Sequence, residues 1–491
     1  MTTSIGGRRL CELLKDIADV PAGRDRGVHG IHLDSRRIER GDLFVAMPGM
    51  VADGRDFIGD AVANGAGAVV YESGDGYVFR GVPVPAFPAN DLRRHLGVIA
   101  SRFHGEPSRK LVVIGVTGTN GKTTCTQLLA QVLSESSKKC AVIGTLGYGF
   151  SGALDESRHT TPDAVTVHGL FADFLNQGAS HVAMEVSSHA LEQGRVNGVA
   201  FDVAVFTNLT RDHLDYHGDM VSYGLAKAGL FAMEGLKYTV INHDDAFGRG
   251  LLASLKPPIK SLSYGIEGGD VRAVAISPKH DGLTLRIATP SGEIELNSRL
   301  IGRFNAYNLL AVLATLLILG MDLKEAVARL ARALPPAGRV ERFGGEPGQP
   351  LVVVDYAHTP DALEKVLRAL REHTPGKLWC VFGCGGDRDR GKRPVMGTIA
   401  ERLADVVVLT DDNPRHESGD AIVAEILAGM RTSPQVIRDR RAAIQTAIRG
   451  AAANDIVLVA GKGHEDYQQF GDQRFPYSDR ETVQELIGEA A

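Results

Sequence analysis

Residues 110–124 read KLVVIGVTGTNGKTT, and this stretch decides the fold of the middle of the chain. A β-branched run leads into a turn that contains Gly118 and Gly121, and Lys122 then opens a helical pattern. Such a strand, turn and helix start place backbone N–H groups and the helix dipole around an anion. The glycines let the backbone approach a phosphate, Lys122 would neutralise the β- and γ-phosphate oxygens, and Thr123 is a candidate magnesium ligand. We therefore predict a nucleotide phosphate site here.

The loop departs in one place from the common phosphate-loop pattern G-x-x-x-x-G-K-[ST]. The first glycine of that pattern would fall at Val116, so only the half from Gly118 onward fits. The alternative interpretation is a strand-to-helix turn that uses glycine for its geometry alone. The sequence also lacks the N-K-x-D motif with which a GTPase reads its base. Kinases, motors and ligases therefore remain as candidate classes.

Short apolar runs alternate with helical patterns after this loop, which predicts an α/β fold. The runs LVVIGV, CAVIGTLG, HVAMEVSS, FDVAVFTN and KYTVINHD indicate a mostly parallel sheet. Residues 268–300 have an antiparallel pattern, with LTLRIATPSGEIEL as a hairpin, and two helices are predicted near 305–320 and 323–333. The later runs LVVVDYA, LWCVFGC, DVVVLTDD and DIVLVAG predict a second, Rossmann-like doubly wound sheet.

These patterns divide the chain into three predicted domains. Residues 1–107 mix the strand-like runs GDLFVAMPG and GAVVYES with polar turns, as in a small α/β domain. They end at HGEPSRK, where proline and charge suggest a linker. Residues 108–334 contain the phosphate loop, and the segment ALPPAGR ends their helical character. Residues 335–491 contain the second sheet.

The composition narrows the choice of partners. The chain has 491 residues, of which 44% are hydrophobic and 23% charged, and its formal net charge is −5. It lacks the basic excess that holds a phosphate backbone, so we expect no nucleic acid partner. Five cysteines fit neither a disulfide framework nor a zinc pattern, and Cys380 and Cys384 are interpreted as buried thiols.

The hydropathy pattern gives no sign of a membrane segment. The first residues contain no apolar core of signal-peptide length, and the run LLAVLATLLILGM is too short to span a bilayer. We therefore expect a cytoplasmic protein without a membrane partner. We also expect a monomer.

Eight motifs follow one another along most of the chain: TGTNGKTT, MEVSSHAL, TNLTRDHLDYHG, GRFNAYN, DYAHTPDAL, GCGGDRDRGKRP, DNPR and GKGHEDYQ. Together they resemble the Mur ligases of peptidoglycan synthesis, and most of all the branch that adds the third residue of the peptide stem. The resemblance implies an N-terminal domain for the UDP end of the substrate, a central domain for ATP and a C-terminal domain for the incoming amino acid.

The resemblance implies an ATP-dependent amide ligase that releases ADP and phosphate. A peptide bond between a carboxylate and an amine requires an activated acyl group, and ATP makes one by phosphorylating the carboxylate. The implied acceptor is the carboxylate of UDP-N-acetylmuramoyl-L-alanyl-D-glutamate. The amine of the next amino acid then attacks the acyl phosphate. This reaction belongs to the synthesis of peptidoglycan precursors, and therefore of the cell wall.

The resemblance implies that Lys122, His213 and Lys227 are catalytic. Phosphoryl transfer between two anions requires concentrated positive charge, hence Mg²⁺ as well as Lys122. The implied metal ligands are Thr123, Glu185, His213 and a carbamate formed from carbon dioxide on Lys227, which requires a neutral amine with a lowered pKa. Taken alone, His213 could equally be structural, and Lys227 would be a solvated lysine on an amphipathic helix.

The same resemblance implies two groups of binding residues in the first two domains. The implied ATP contacts are Gly118, Thr119, Asn120, Gly121, Lys122, Thr123, Thr124, Asn305 and Arg339. Asp355 and His358 are expected either near the ATP or as turn formers at a strand end. The implied contacts of the UDP end of the substrate are Leu33, Ser35, Met50, Val51 and Ala52. The implied contacts of its muramoyl-dipeptide are His159, Thr160, Thr161, Ser187, Gln193 and Arg195. Arg195 has a guanidinium fork suited to a phosphate or a carboxylate.

The choice of amino acid lies between meso-2,6-diaminopimelate and L-lysine, which differ by one distal carboxylate. A buried carboxylate needs a cationic partner, and Arg415 in DNPR supplies a guanidinium fork after a predicted strand. The implied contacts of diaminopimelate are Arg388, Asp412, Asn413, Pro414, Arg415, Gly461 and Glu465. The alternative interpretation of DNPR is a capped turn. Alternative functions are a lysine-adding ligase, a ligase like folylpolyglutamate synthetase, and a non-catalytic nucleotide-sensing module.

Overall fold

The computed structural model describes residues 7–49, 52–134, 138–157 and 159–489. The described chain divides into two compact units. The first unit comprises residues within 1–122, 133–239 and 250–261, and the second comprises residues within 123–132, 240–249 and 262–491.

The first unit begins with a small α/β layer. Four parallel strands lie in the order Ile31–His32, Leu43–Ala46, Ala68–Glu72 and Ala86–Ala89. The helices of this part are Leu10–Leu13, Ile58–Ala63 and Leu92–Phe103, and a short antiparallel pair joins Arg8–Arg9 to Gly27–Val28. Alternate strand residues point to opposite faces, so Leu43, Val45, Ala68 and Val70 join one core and Phe44, Ala46 and Val69 join another.

A second sheet of the first unit carries the phosphate loop. Its strands lie in the order Ala153–Asp155, Gly147–Phe150, Lys139–Gly144, Ala179–Glu185, Val112–Thr117 and Val203–Phe206, and the last four are parallel. Its helices are Ala164–Asn176, Ser188–Glu192, Leu214–His217 and Met220–Ala228. The carboxyl ends of parallel strands meet at one edge of a sheet, where ligands bind. Thr117, Gly144, Glu185 and Phe206 mark that edge.

Four elements contain residues of both units: helix Lys122–Leu133, strand Tyr238–Asn242, helix Ala246–Ser254 and strand Lys260–Gly265. Within the second unit, three antiparallel strands are Val271–Lys279, Gly282–Thr289 and Gly292–Ser298. Two helices, Arg303–Ile318 and Leu323–Arg332, follow them. The predicted hairpin and the predicted pair of helices are therefore confirmed.

The second unit also contains a six-stranded sheet. Its order is Glu341–Gly344, Leu351–Asp355, Ile456–Ala460, Leu378–Phe382, Val406–Leu409 and Gln435–Val436, and all neighbours except the first pair are parallel. The helices are Pro360–Arg371, Lys392–Leu403, Gly419–Leu427, Arg440–Gly450 and Asp479–Glu489. An antiparallel hairpin, Tyr467–Phe470 with Gln473–Pro476, projects near the end of the chain. The predicted doubly wound sheet is confirmed, and its strands are nearly all apolar because both faces are covered.

Two expectations from the sequence have different outcomes. Cys380 and Cys384 are buried free thiols, as predicted. The predicted linker HGEPSRK is instead partly folded, since Pro107–Lys110 form a 3₁₀ helix. Ser108 is buried there, and its hydroxyl oxygen accepts a hydrogen bond from the Ala200 amide over 3.1 Å. Among the described residues, no helix has the length and apolar character needed to cross a membrane.

Candidate functional site

The turn after strand Val112–Thr117 has the geometry that its glycines predict. Gly118 has a φ of +144°, and a Cβ atom there would lie 1.9 Å from Thr207 Oγ1. Gly121 has a φ of +87° and precedes the first helical residue, Lys122. Any other residue at position 118 would therefore collide with the neighbouring strand end. The turn is built for a close approach of backbone to backbone, despite the valine at position 116.

The segment 207–210 holds this loop in place. The Thr119 amide donates to the Asn208 carbonyl over 2.8 Å, and the Asn120 amide donates to Asn208 Oδ1 over 3.0 Å. Thr207 Oγ1 donates to the Asn120 carbonyl over 2.6 Å. The Thr210 amide donates in turn to Thr119 Oγ1 over 3.0 Å. The loop is therefore ordered by its own chain before any anion binds.

Two lysines point at one carbonyl oxygen of the loop. Lys122 Nζ donates to the Gly118 oxygen over 2.8 Å and to the Thr119 oxygen over 2.9 Å. Lys227 Nζ donates to the same Gly118 oxygen over 2.9 Å. Lys227 is buried, with 1% of its surface exposed, and its Nζ lies 4.3 Å from the centre of the Tyr223 ring. The interpretation of Lys227 as a solvated lysine is therefore wrong.

The environment of Lys227 favours its neutral amine. Burial, together with the charge of Lys122, lowers the pKa of Lys227 to about 6, while Asp212 acts in the opposite direction. A lysine with such a pKa is largely unprotonated at neutral pH. This is the state that the predicted reaction with carbon dioxide requires.

Aromatic and imidazole rings connect Lys227 to the segment around His213. Tyr223 OH lies 3.2 Å from Thr119 Oγ1, and its ring centre lies 6.1 Å from that of His213. His213 has a φ of +52°, is exposed, and lies 5.0 Å from the His189 ring. The buried side chain of His217 contacts Ser188 Oγ over 2.9 Å. His213 is therefore placed beside the phosphate loop, on a turn rather than in the core.

Glu185 lies at the carboxyl end of strand Ala179–Glu185 and is 1% exposed. Its Oε1 accepts from the Thr145 amide over 2.8 Å, and its Oε2 accepts from Thr145 Oγ1 over 3.2 Å. A Cβ atom at Gly144 would lie 2.3 Å from Oε1. Across the described ranges, no three His, Cys, Asp or Glu side chains form a metal-binding group. A magnesium ion here would therefore depend on further oxygen ligands, which is how Mg²⁺ usually binds beside phosphates.

Most of the residues predicted to bind the muramoyl-dipeptide lie together next to Glu185. Thr160 Oγ1 lies 3.0 Å from Thr145 Oγ1, and Thr161 Oγ1 donates to the Glu185 carbonyl over 2.8 Å. The Ser187 amide donates to Thr161 Oγ1 over 3.2 Å. This group is continuous with the end of the strand that carries Glu185.

Arg195 extends that group. It donates to the Thr161 carbonyl over 2.8 Å and to Gln193 Oε1 over 2.9 and 2.6 Å. Partial burial lowers the pKa of Arg195. Gln193 Nε2 donates to Tyr216 OH over 3.0 Å, and the Tyr216 ring packs 4.1 Å from that of His189. His159 is exposed at the start of the segment, where its carbonyl accepts from Ser157.

The residues predicted to contact the UDP end lie around a separate cavity of the first unit. Leu33, Ser35 and Ala52 line a cavity of about 610 Å³, together with Arg93. The other two predicted contacts, Met50 and Val51, lie outside the described residues.

The second unit brings the predicted amino-acid contacts together after strand Val406–Leu409. Arg415 has a φ of +52°, and its backbone is paired on both sides with the hairpin, through Gln469 and Gly471. One guanidinium nitrogen, Nη1, donates to the Gly386 carbonyl over 2.7 Å. Within the described chain, its Nε and Nη2 atoms donate to no protein group. A fork with two open donors suits a carboxylate.

Other members of this group surround Arg415. Asn413 Nδ2 donates to Glu465 Oε2 over 3.0 Å, and Pro414 approaches so closely that a Cβ on Gly386 would lie 1.8 Å from its carbonyl. Asp412 is buried, and a Cβ on Gly461 would lie 2.7 Å from its Oδ2. Arg388 is exposed and contacts the Asp387 carbonyl. The structure therefore places Asp412, Asn413, Arg415, Gly461 and Glu465 in one group.

The predicted nucleotide contacts of the second unit form two smaller groups. Buried Asn305 accepts from Asn308 Nδ2 over 2.8 Å, and Asn308 Oδ1 accepts from the thiol of Cys125 on helix Lys122–Leu133. The guanidinium of Arg339 lies 5.2 Å from the Tyr356 ring, and its buried Nε has no hydrogen-bond partner within the described residues.

Asp355 and His358 have contacts that suit the turn interpretation. Asp355 accepts from the Val340 and Ala357 amides over 2.8 and 2.9 Å, and burial raises its pKa. His358 Nδ1 lies 2.8 Å from the Tyr356 carbonyl.

The residues of these groups that the sequence did not single out include Thr145, Asn208, Tyr223 and Lys462. Asn208 and Lys462 lie inside two of the eight motifs, which was a signal of their functional importance. Tyr223 lies one helical turn before Lys227, and that spacing predicts that the two side chains lie side by side. Thr145 follows a predicted strand at the same sheet edge as Glu185, which is the signal that would have found it.

Comparison with known families covers nearly the whole chain. The Mur ligase family catalytic domain matches residues 27–104, the Mur ligase middle domain matches 116–316, and the Mur ligase glutamate ligase domain matches 338–463. The chain belongs to the Mur ligase family. Members of this family are ligases, and the three-domain α/β fold predicted from the sequence is the Mur ligase fold.

Several Mur ligases of known name are similar over nearly their full length. The UDP-N-acetylmuramoyl-L-alanyl-D-glutamate--2,6-diaminopimelate ligase of Chromobacterium violaceum is 52% identical over 93% of this chain and 94% of that protein. The enzyme of the same name from Pseudomonas aeruginosa is 50% identical over 95% and 96%. That from Coxiella burnetii is 46% identical over 98% and 100%.

Solved Mur ligase structures share the fold. A structure of a UDP-N-acetylmuramoyl-L-alanyl-D-glutamate--2,6-diaminopimelate ligase is 38% identical, covers 99% of both chains and has a TM-score of 0.77. MurF from Acinetobacter baumannii is 20% identical, covers 99% of both chains and has a TM-score of 0.63. At that identity the second similarity shows the fold alone.

Proposed function

We propose that this Mur ligase joins meso-2,6-diaminopimelate to UDP-N-acetylmuramoyl-L-alanyl-D-glutamate, with ATP as the source of energy and ADP and phosphate as products. The reaction builds the peptide stem of peptidoglycan precursors. Relatives that are about 50% identical over nearly their full length are named for this activity.

The observation that carries the choice of amino acid is the open fork of Arg415. Among the described residues, its Nε and Nη2 atoms have no acceptor, and the loop that bears it is fixed by backbone bonds to Gln469 and Gly471. Diaminopimelate offers a distal carboxylate to this fork. With L-lysine bound, the fork would have no anion to pair with. An unpaired polar group of this kind discriminates by about 100-fold or more.

The phosphate loop provides the activating step. We propose that Lys122 and the amides at the start of helix Lys122–Leu133 hold the ATP phosphates while the substrate carboxylate attacks the γ-phosphorus. The carboxylate oxygen forms a bond to phosphorus, and the bond from phosphorus to the β-γ bridging oxygen breaks. The product is an acyl phosphate and ADP. The carbonyl carbon of the acyl phosphate is then attacked by the amine of diaminopimelate, which loses a proton, and inorganic phosphate leaves.

Lys122 has to change its partners for this step. It now donates to the carbonyl oxygens of Gly118 and Thr119, which are neutral acceptors. A phosphate oxygen is a stronger acceptor, so we expect Lys122 to move to the nucleotide. We propose the same ATP contacts that the sequence predicts: Gly118, Thr119, Asn120, Gly121, Lys122, Thr123, Thr124, Asn305 and Arg339.

Most of the residues proposed to hold Mg²⁺ offer oxygen ligands, which this ion prefers. Glu185 offers a buried carboxylate at the sheet edge, and Thr123 follows Lys122 in the chain. Lys227 would add the two oxygens of a carbamate, for which its buried neutral amine is suited. His213 is a nitrogen donor and a less usual ligand for magnesium. When bound, the ion would supply positive charge to the phosphoryl oxygens.

The dipeptide end of the substrate is assigned to the group around Arg195. Its guanidinium now pairs with Gln193 and the Thr161 carbonyl, and a substrate carboxylate would replace the Gln193 contact. Thr160 and Ser187 lie in the same group, and His159 lies at its exposed end. The UDP end is assigned to the cavity lined by Leu33, Ser35 and Ala52.

The proposal also includes the domain limits 1–107, 108–334 and 335–491, a cytoplasmic location and a monomeric state.

One assay tests this function. Purified protein is mixed with ATP, the UDP-muramoyl-dipeptide and one amino acid from a panel, and phosphate release and product mass are measured. We expect a tripeptide and phosphate release only with diaminopimelate. Product with L-lysine would indicate the lysine-adding specificity. In a parallel reaction with a folate in place of the dipeptide, addition of glutamate would indicate the folylpolyglutamate reaction. Nucleotide binding without product would support a sensing module instead.

A further inference from the structure

Lys462 is a buried lysine within the group of residues around Arg415. Its side chain has no exposed surface. Its Nζ donates to Asn413 Oδ1 over 2.9 Å and to Glu465 Oε2 over 3.0 Å, and lies 3.8 Å from Asp412 Oδ1. The charge of this lysine is therefore satisfied by protein groups and is not available to a ligand.

These contacts leave the Glu465 carboxylate asymmetric. Its Oε2 accepts from Lys462 Nζ and from Asn413 Nδ2, each over 3.0 Å. Its Oε1 accepts from no group in the described part of the chain. Two donors on one oxygen fix the plane of a carboxylate, and the other oxygen is left to bind a cation from solution.

Lys462 also fixes the amide of Asn413. Asn413 Oδ1 accepts a second bond from the Gln469 amide over 2.9 Å, and the Asn413 carbonyl accepts from the Gly386 amide over 2.9 Å. Lys462 thus joins the segment of Asn413 to the segment that contains Glu465, and Gln469 binds the same Asn413 oxygen. Asn413 is separated by one residue from Arg415, so the cationic and the anionic ends of the site share this support.

We propose that Lys462 is a positioning residue that gives the site its preference for a substrate with a distal ammonium group. It acts by holding Glu465 so that Oε1 faces that ammonium, while Arg415 binds the neighbouring carboxylate. Without Lys462, Glu465 Oε2 would lose one of the two hydrogen bonds that it accepts, and the side chain could rotate. The inference rests on the diaminopimelate specificity proposed above.

The test compares two amino acids that differ in this one group. Diaminopimelate has the distal ammonium, and 2-aminopimelate lacks it but keeps the distal carboxylate and the reacting amine. The ratio of their kcat/KM values is measured for the wild type and for Lys462→Met. We expect the wild type to prefer diaminopimelate at least about tenfold, as one lost charged hydrogen bond implies. We expect Lys462→Met to reduce that ratio to near one, mainly through the KM for diaminopimelate.

Further variants separate positioning from general damage. Lys365→Met removes an exposed lysine that pairs with Asp361, and we expect it to leave the ratio unchanged. Lys462→Arg retains the cation and is expected to keep the preference. Glu465→Gln is expected to lower the ratio, and adding Lys462→Met to it should cause no further fall. If Lys462→Met does not fold, Lys462→Gln takes its place in the same comparison.

The outcomes are distinct from those of the function assay. Equal losses for both amino acids, or a matching rise in the KM for ATP, would overturn the positioning role. A wild type that forms no tripeptide with diaminopimelate would overturn the proposed function, and the role of Lys462 would fall with it. A wild type that uses diaminopimelate, with an unchanged ratio in Lys462→Met, would overturn only the role of Lys462.

Discussion

The Nζ atom of Lys227 donates a hydrogen bond to the carbonyl oxygen of Gly118 over 2.9 Å. This bond ties helix Met220–Ala228 to the turn that follows strand Val112–Thr117. The same oxygen also accepts from Lys122 over 2.8 Å. Two lysines therefore share one acceptor, and the charge of Asp212 offsets only part of the cost of burying Lys227. The arrangement favours a neutral Lys227, so replacing this lysine should change both activity and stability.

Lys227→Met is expected to lower activity by at least about 100-fold while increasing stability. The substitution removes a buried amine, which costs free energy in the folded state, and replaces it with an apolar side chain of similar length. The Gly118 oxygen keeps its bond from Lys122. We expect the free energy of unfolding to rise by about 1–3 kcal/mol, measured by urea denaturation near pH 7. A less stable variant would contradict this account of the lysine.

The pH dependence of that difference follows from the lowered pKa of Lys227. Its value is about 6 in the folded protein and about 10.4 in an unfolded chain. Between these values the unfolded state binds one more proton, so wild-type stability rises with pH by up to about 1.4 kcal/mol per unit. The destabilisation caused by burying Lys227 is absent above its unfolded pKa and reaches a constant maximum below its folded pKa. The advantage of Lys227→Met should therefore shrink as pH rises from 7 to 10.

That comparison requires protein kept free of carbon dioxide, because a carbamate would alter the charge of Lys227. Addition of ¹³C-labelled bicarbonate to the wild type then tests the modification itself. We expect a carbamate carbon signal in the NMR spectrum of the wild type, and no such signal in Lys227→Met. An unchanged stability difference across the pH range would show that Lys227 is protonated in the folded state.

Gly118→Ala is expected to weaken nucleotide binding by at least about tenfold, which corresponds to 1.4 kcal/mol. The new Cβ would lie 1.9 Å from Thr207 Oγ1, and the φ of +144° is unfavourable for alanine. The loop would have to shift away from the position that we propose for the ATP phosphates. Binding of a fluorescent ATP analogue measures the effect. Gly178→Ala is a matched control, because Gly178 also has a positive φ but has open space at its Cβ position.

The sequence predicted the fold more completely than the environment of the site. The runs from Val112 to Asn242 became strands because β-branched residues at short spacing suit a sheet covered on both faces. Gly118 was predicted to allow close approach, and the structure adds that Thr207 is the group approached. Such a neighbour is 89 positions away in the chain, and local periodicity contains no information about it.

The two buried lysines show the same limit. Helical spacing alone predicts a solvated Lys227, yet its Nζ lies between the Tyr223 ring and the Gly118 oxygen. Lys462 stands between two glycines in GKGHE, a context typical of a turn, but it is buried against Asn413 and Glu465. Gly118 lies 109 positions from Lys227 and Asn413 lies 49 positions from Lys462, so local periodicity contains no information about these two contacts.

Arg415→Ala is expected to reduce kcat/KM for diaminopimelate by at least about 100-fold, because the distal carboxylate would lose its cationic fork. The loop should survive, since its backbone bonds to Gln469 and Gly471 do not involve the side chain. ATP affinity should therefore stay within about twofold of the wild-type value, because Arg415 is not among the predicted ATP contacts. Steady-state kinetics with each substrate varied in turn measures both quantities. Arg390→Ala is the control for losing an arginine nearby, as it is exposed and pairs with Glu425. Unchanged turnover of diaminopimelate in Arg415→Ala would show that another group, rather than this fork, selects the amino acid.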